Sequence, residues 1–217
     1  MLDELKGTIH ELPTWDDEIK QKVEKSLTCL KKNDQIIVAN QLWEPCLSHR
    51  LAVYLEHVFD AYHVDCEYNK RFEDNVIEHK ALSRDALMHW ISTFDKEQIT
   101  EIFSRDDFDA AAKKAIENIS VIDTDSQDPK KSDDRKLRPD IIIHQREIQE
   151  NNLLVIENKW LRKENFAEVL LDLAKLSQLT NPDSALKYRY GLFLGFETDG
   201  LKVSLLFENA EFKPVSM

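Results

Sequence analysis

Leu137-Arg-Pro-Asp-Ile-Ile-Ile-His144, and after a polar connection Asn152-Leu-Leu-Val-Ile-Glu-Asn-Lys-Trp160, is the stretch that decides how this chain folds. Two short runs rich in Ile, Leu and Val, joined across residues 145–152, predict a β-hairpin. Each run breaks its apolar pattern with an acid, Asp140 in the first and Glu157 in the second, and Lys159 follows two residues later. A symmetric connection sets Asp140 opposite Glu157. Directly opposed residues share a face with Cβ atoms roughly 4.5–5.5 Å apart, where like charges repel. Two carboxylates side by side on an apolar hairpin call for a compensating charge, and a divalent cation supplies it. Side chains alternate along a strand, so Lys159 shares the face of Glu157 while Asn158 points away.

Pro139-Asp140 followed by Glu157-Asn158-Lys159 resembles the signature of the PD-(D/E)xK nuclease superfamily, the restriction-endonuclease-like fold. The acid-x-Lys tripeptide carries nothing alone; it also occurs at Glu4/Lys6, Glu78/Lys80 and Glu211/Lys213. Its place at the end of an apolar strand, after a Pro-Asp strand, carries the resemblance. The resemblance implies a metal-dependent endonuclease that hydrolyses phosphodiester bonds with Mg²⁺ or Mn²⁺, DNA being the expected polymer. Asp140, Glu157 and the backbone carbonyl of Asn158 would hold the metal, and Lys159 would orient the attacking water or stabilise developing charge. Glu44 matches the acid that the helix before the first core strand supplies in this superfamily; the bland reading is favourable placement at a helix start. The Asp172-x-x-Lys175 pattern is similar to helices of some members, and this makes Lys175 and Gln178 candidate substrate contacts. Arg138 and Arg162, beside the two acids, are further candidates. The alternative function is a catalytically silent nuclease-fold module working through protein contacts, a reading that the overall acidity suits.

At 217 residues and 42% hydrophobic composition the chain suits one well-buried α/β domain. A net charge of −12 argues against a broad basic surface for non-specific nucleic-acid binding. Local charge tells otherwise: Lys130, Lys131, Arg135, Lys136 and Arg138 precede Asp140, and Arg162 and Lys163 follow Lys159. Three cysteines without CxxC spacing predict neither a disulfide framework nor a zinc site. With no apolar run long enough for a membrane span and no basic-apolar leader, the expectation is a cytoplasmic protein without membrane contact, compatible with a homodimer. Seven histidines without HExxH, and the absence of GxSxG and P-loop patterns, leave other catalytic plans unsupported.

Elsewhere, Ile19, Val23, Leu27 and Leu30 recur at helical spacing, with Thr14 as the expected cap. Residues 35–42 read equally as a short helix or a strand. Pro45 suits a first helical turn, and Leu47, Leu51, Leu55 and Val58 form one stripe. Residues 62–69 read as a strand with Val64, Cys66 and Tyr68 on one face and Asp65, Glu67 and Asn69 on the other; Glu67 is either a cleft residue or a polar edge. Residues 81–94, 96–103 and 108–119 read as helices, with Ser83, Asp95 and Asp107 as expected caps, and 123–136 as a polar loop. Residues 165–179 form an amphipathic helix with Asp172 and Lys175 expected on its exposed face, ended by Asn181-Pro182. Two strands, 188–196 and 201–207, close the chain around a turn at Thr198-Asp199-Gly200. The expected whole is a single domain, 1–217: an α-β-β-β-α-β core with a mixed sheet flanked by helices, an N-terminal helical extension over 1–43, and a helical insertion and polar loop over 70–136.

Overall fold

The computed structural model describes residues 15–66, 71–73, 76–78, 82, 84–124, 138–146, 152–184 and 186–217. Its centre is a six-stranded mixed sheet. In chain order the strands are β1 (His63–Cys66), β4 (Ile141–His144), β5 (Asn152–Trp160), β6 (Tyr190–Glu197), β7 (Gly200–Glu208) and β8 (Glu211–Pro214), and they lie in that order in space. All neighbours run antiparallel except β5 and β6, which are parallel. That parallel pair is bridged by the helix α7 (Phe166–Thr180), as a crossover requires.

Helices cover both faces. On one side α1 (Lys20–Asn33), α2 (Gln35–Ala39) and α3 (Glu44–Glu56) bury Val23, Leu47 and Leu51 against Ile141, Ile143, Leu154 and Ile156. On the other, α7 with α4 (Arg84–Thr93), α5 (Lys96–Phe103) and α6 (Phe108–Thr124) packs over Ile142, Val155, Phe193 and Leu205. A strand buried on both faces has no polar side to alternate with, which is why the two central strands read as unbroken apolar runs.

The β4–β5 register is Ile141↔Ile156, Ile142↔Val155 and Ile143↔Leu154, so its continuation sets Asp140 opposite Glu157. At the other end a bulge pairs His144 with Asn152 rather than Leu153, so the hairpin is not symmetric throughout. The half nearest Asp140 keeps the expected pairing.

Several expectations need correcting. The ambiguous stretch 35–42 is helical over Gln35–Ala39, because Ile37 and Val38 bury together against the α1–α3 layer. A π-helical turn, Trp15–Ile19, precedes α1; Thr14 lies outside the described residues. The segment 70–136 is not purely helical, since β2 (Arg71–Glu73) and β3 (Val76–Glu78) pair as a separate antiparallel ribbon. The first core strand is described only over His63–Cys66; Glu67 and Asn69 lie outside the described residues, as do Ser83 and the basic run Lys130–Lys136. Asp95 caps α5 as expected, its side chain accepting from the Gln98 backbone N–H at 3.0 Å. Strand β8 was not expected; its Glu-Phe-Lys-Pro sequence has little apolar alternation, and its proline fits an edge strand.

Candidate functional site

Alternation along the two central strands sorts the site residues. Ile142 and Val155 pack into the α7-side core, and Ile141, Ile143 and Ile156 into the α3-side core. Two-residue periodicity therefore puts Asp140, Glu157 and Lys159 on the α7 face and Asn158 on the α3 face. Contacts agree: the Asn158 Nδ2 donates to Ser48 Oγ of α3 at 3.4 Å, while Glu157 and Lys159 meet side chains of α7.

Asp140 stands just before β4, where no strand partner is left for the β5 backbone. Its Oδ2 takes that role, accepting the Asn158 backbone N–H at 2.7 Å. In a strand a residue's N–H and C=O leave on the same side, so the Asn158 carbonyl faces the edge where Asp140 sits. Glu157 is only 1% exposed. Its Oε1 lies 2.9 Å from Lys175 Nζ of α7, and the same ammonium lies 2.9 Å from Asp172 Oδ1. Lys159 Nζ donates to Glu44 Oε1 at 2.8 Å and lies 3.1 Å from Asp172 Oδ2. Glu44 Oε2 accepts from the Trp160 backbone N–H at 3.4 Å. Glu44 reaches the sheet end because Pro45 sets the first turn of α3, leaving Glu44 at the helix start, directed at β5.

The result is an alternating lattice of charge, Glu44–Lys159–Asp172–Lys175–Glu157, with Asp140 alongside. Four carboxyls face two ammoniums, so full ionisation would leave two negative charges largely out of water. The protonation equilibria carry that strain. Burial, reinforced by Asp172, pushes the Asp140 carboxyl up to about 7. Burial likewise holds the Glu157 carboxyl well above its ordinary range, against the pull of Lys175. Burial acts on Asp172 in the same direction, but Lys175 and Lys159 outweigh it and keep Asp172 ionised. Both lysines stay charged: burial disfavours their ammonium forms, and Asp172 with Glu44 or Glu157 more than compensates. A lysine held so firmly protonated is a hydrogen-bond donor and a positive charge, not a general base.

Asp172 departs from the exposed helix face that its sequence position predicts. It is buried, because α7 is covered on both sides, by the sheet and by α4 and α6. The available signal was composition: only Glu168, Asp172 and Lys175 are charged in the fifteen residues of α7, too few for a solvated face. Lys175, a candidate substrate contact, lies between two acids, Glu157 and Asp172. Gln178 lines a different feature, a groove with Trp90, Phe94 and Phe212, and no described contact joins it to the acids. Arg138 and Arg162 are both exposed residues near the site in the chain; the Arg162 backbone N–H donates to Asn165 Oδ1 at 3.1 Å. Asp65 is not a simple solvent-facing edge residue. At the far end of β4 it is gripped by His144 Nε2 at 2.8 Å and Arg146 Nη2 at 2.6 Å.

Among the described residues no three acidic, His or Cys side chains gather in the arrangement that holds a metal ion, since the lysines stand between the carboxylates. Nor is any helix among them long and apolar enough to cross a membrane. No family model, curated protein or solved structure matches this chain.

Proposed function

We propose that this chain is a metal-dependent nuclease of the PD-(D/E)xK type, hydrolysing phosphodiester bonds at the end of β5. One observation carries the reading: Asp140, Glu157 and Lys159 occupy one sheet face at one strand end, joined there by Glu44 and Asp172 in a cluster where carboxyls outnumber ammoniums. The order α3, β1, β4, β5, α7, β6 also follows the α-β-β-β-α-β core of that fold.

The donor types present suit a divalent cation, although the lysines stand between the carboxylates. Glu157 Oε1 and Asp172 Oδ2 are buried carboxylate oxygens that accept no hydrogen bond in good geometry, although ammoniums lie close by. Hard carboxylate and carbonyl oxygens suit Mg²⁺ or Mn²⁺, and a bound cation would favour the ionised forms of the carboxyls that burial holds high. Asp140, Glu157 and the Asn158 carbonyl would hold the ion. Bound there, it would acidify a water and offset charge on the scissile phosphate. Lys159, fixed by Glu44 and Asp172, would direct its ammonium at the oxygen on which negative charge gathers. Lys175, held by Asp172, would hold Glu157 in place.

A second reading rests on the same lattice. Lys175 already neutralises Glu157, so the cluster could serve as a buried salt-bridge network in a silent binding module. The two readings part on turnover. A panel of plasmid, single-stranded DNA and RNA incubated with Mg²⁺ or Mn²⁺ should show cleavage by the wild type and none by Asp140→Ala. Intact substrates throughout would leave only the silent module.

A further inference from the structure

Large apolar side chains exposed among the described residues are few: Ile36, Leu42, Trp43 and Met88. Three of the four fall within eight residues, from α2 to the start of α3, and Trp43 is 77% exposed. Scattered apolar residues on a surface need no explanation, but a clustered patch with a nearly bare indole does. Its backbone is not loose. The Leu42 N–H donates to the Ile37 carbonyl at 3.0 Å, the Leu42 carbonyl accepts the Trp160 indole N–H at 2.8 Å, and the Trp43 carbonyl accepts the Cys46 N–H at 2.8 Å. Trp43 is thus pinned on both sides while its ring is left in water.

Its position ties it to the acid cluster. The next residue is Glu44, whose carboxylate holds Lys159, and consecutive Cα atoms stand about 3.8 Å apart. The residue that anchors Leu42 is Trp160, the one after Lys159. The exposed indole of Trp43 is thus one residue along the chain from Glu44, and its neighbour Leu42 is tied to the residue after Lys159.

Resting on the nuclease reading above, we infer that Trp43 is a stacking platform for an unpaired base, and that the substrate is single-stranded nucleic acid. Bases in a duplex have their faces covered by one another, whereas every unpaired base offers a π-face. Stacking on an aromatic face supplies affinity that does not depend on phosphate charge.

The fold provides its own reporter. Of the four tryptophans, Trp15, Trp90 and Trp160 are 4%, 8% and 3% exposed, so the solvent-quenchable emission belongs to Trp43. With the full wild-type chain in EDTA, where cleavage cannot run, a ten-residue oligo-dT should quench that emission and a hairpin duplex of equal length should not. By anisotropy of labelled oligo-dT, Trp43→Ala should bind about ten- to a hundredfold more weakly, as loss of one stacked base predicts, and Trp43→Phe should recover most of the affinity. In Mg²⁺, Trp43→Ala should raise KM while leaving kcat within about twofold. Equal quenching by duplex, unchanged affinity of Trp43→Ala, or a wild-type dimer that Trp43→Ala dissociates would each overturn the inference. Cleavage that ignores Trp43 sinks this inference alone; oligo-dT binding without any cleavage sinks the catalytic reading and leaves the platform standing.

Discussion

Asp140 and Asp172 carry the same carboxyl group within one cluster, and their surroundings drive them apart. Asp172 faces two ammoniums and stays ionised; Asp140 faces burial and another acid, and its carboxyl rises to about 7. A folded-state value above the ordinary 3.8 means that the folded protein holds a proton the unfolded chain has already lost. Metal-free stability should therefore increase as pH falls through 7, with the gain from this group complete below its unfolded value. Glu157 acts in the same direction, while the carboxyls held low, such as Asp34, Asp65 and Asp172, lose their contribution only in more acid solution. Melting in EDTA should occur at a higher temperature near about pH 6 than near about pH 8, and Asp140→Asn should reduce that difference. A flat or inverted profile would contradict the buried-acid description. The cluster residues should also fail unequally in turnover. Asp140→Ala and Glu157→Ala each remove a carboxylate from the proposed cation site and should abolish cleavage. Lys159→Ala removes one charge-stabilising donor, for a loss of roughly 10²–10³ in rate. Retention of the wild-type rate by any of the three would require new roles.

At the scale of elements, α7 matters most, since it brings Asp172 and Lys175 over the β5 end. It lies close on the sheet because β6 has glycine beneath it. A Cβ at Gly191 would stand 3.0 Å from Thr180 Cγ2 and 3.3 Å from Leu176 Cδ2, both on α7, and 3.1 Å from Phe207 Cβ on β7. Gly191→Ala should overpack this contact and cost about 1–3 kcal/mol, read as a lower urea midpoint. An unchanged or higher midpoint would show that α7 has room to shift. The same helix shows where sequence reading stopped. Its apolar stripe, Phe166 through Leu176, was legible at helical spacing, but the stripe cannot reveal that α4 and α6 cover its back. Asp172 was therefore assigned to solvent, although the structure buries it. The β4–β5 pair was legible for the opposite reason. Its apolar runs and the acids that interrupt them are local, so alternation and register followed without knowledge of neighbours. The bulge at His144 escaped that logic.

Across the whole molecule, two apolar cores enclose a mixed sheet whose one parallel step, β5 to β6, lies beside the charged cluster. The α/β class and the order of the central elements were readable from the chain. The β2–β3 ribbon and edge strand β8 were not, because short strands of mixed polarity carry no periodic signal. Overall charge proved a poor guide to the site. A net charge of −12 says little about six groups gathered in one place, where four carboxyls meet two ammoniums and burial drives two of the carboxyls toward their protonated forms. Calorimetric titration of Mn²⁺ into the wild-type chain near about pH 7, repeated in two buffers of different ionisation enthalpy, tests this most directly. Saturable binding of the ion with release of protons near about pH 7, abolished in Asp140→Ala and retained in Lys159→Ala, is the predicted result. No binding heat in the wild type, or an isotherm that Asp140→Ala leaves unchanged, would contradict it.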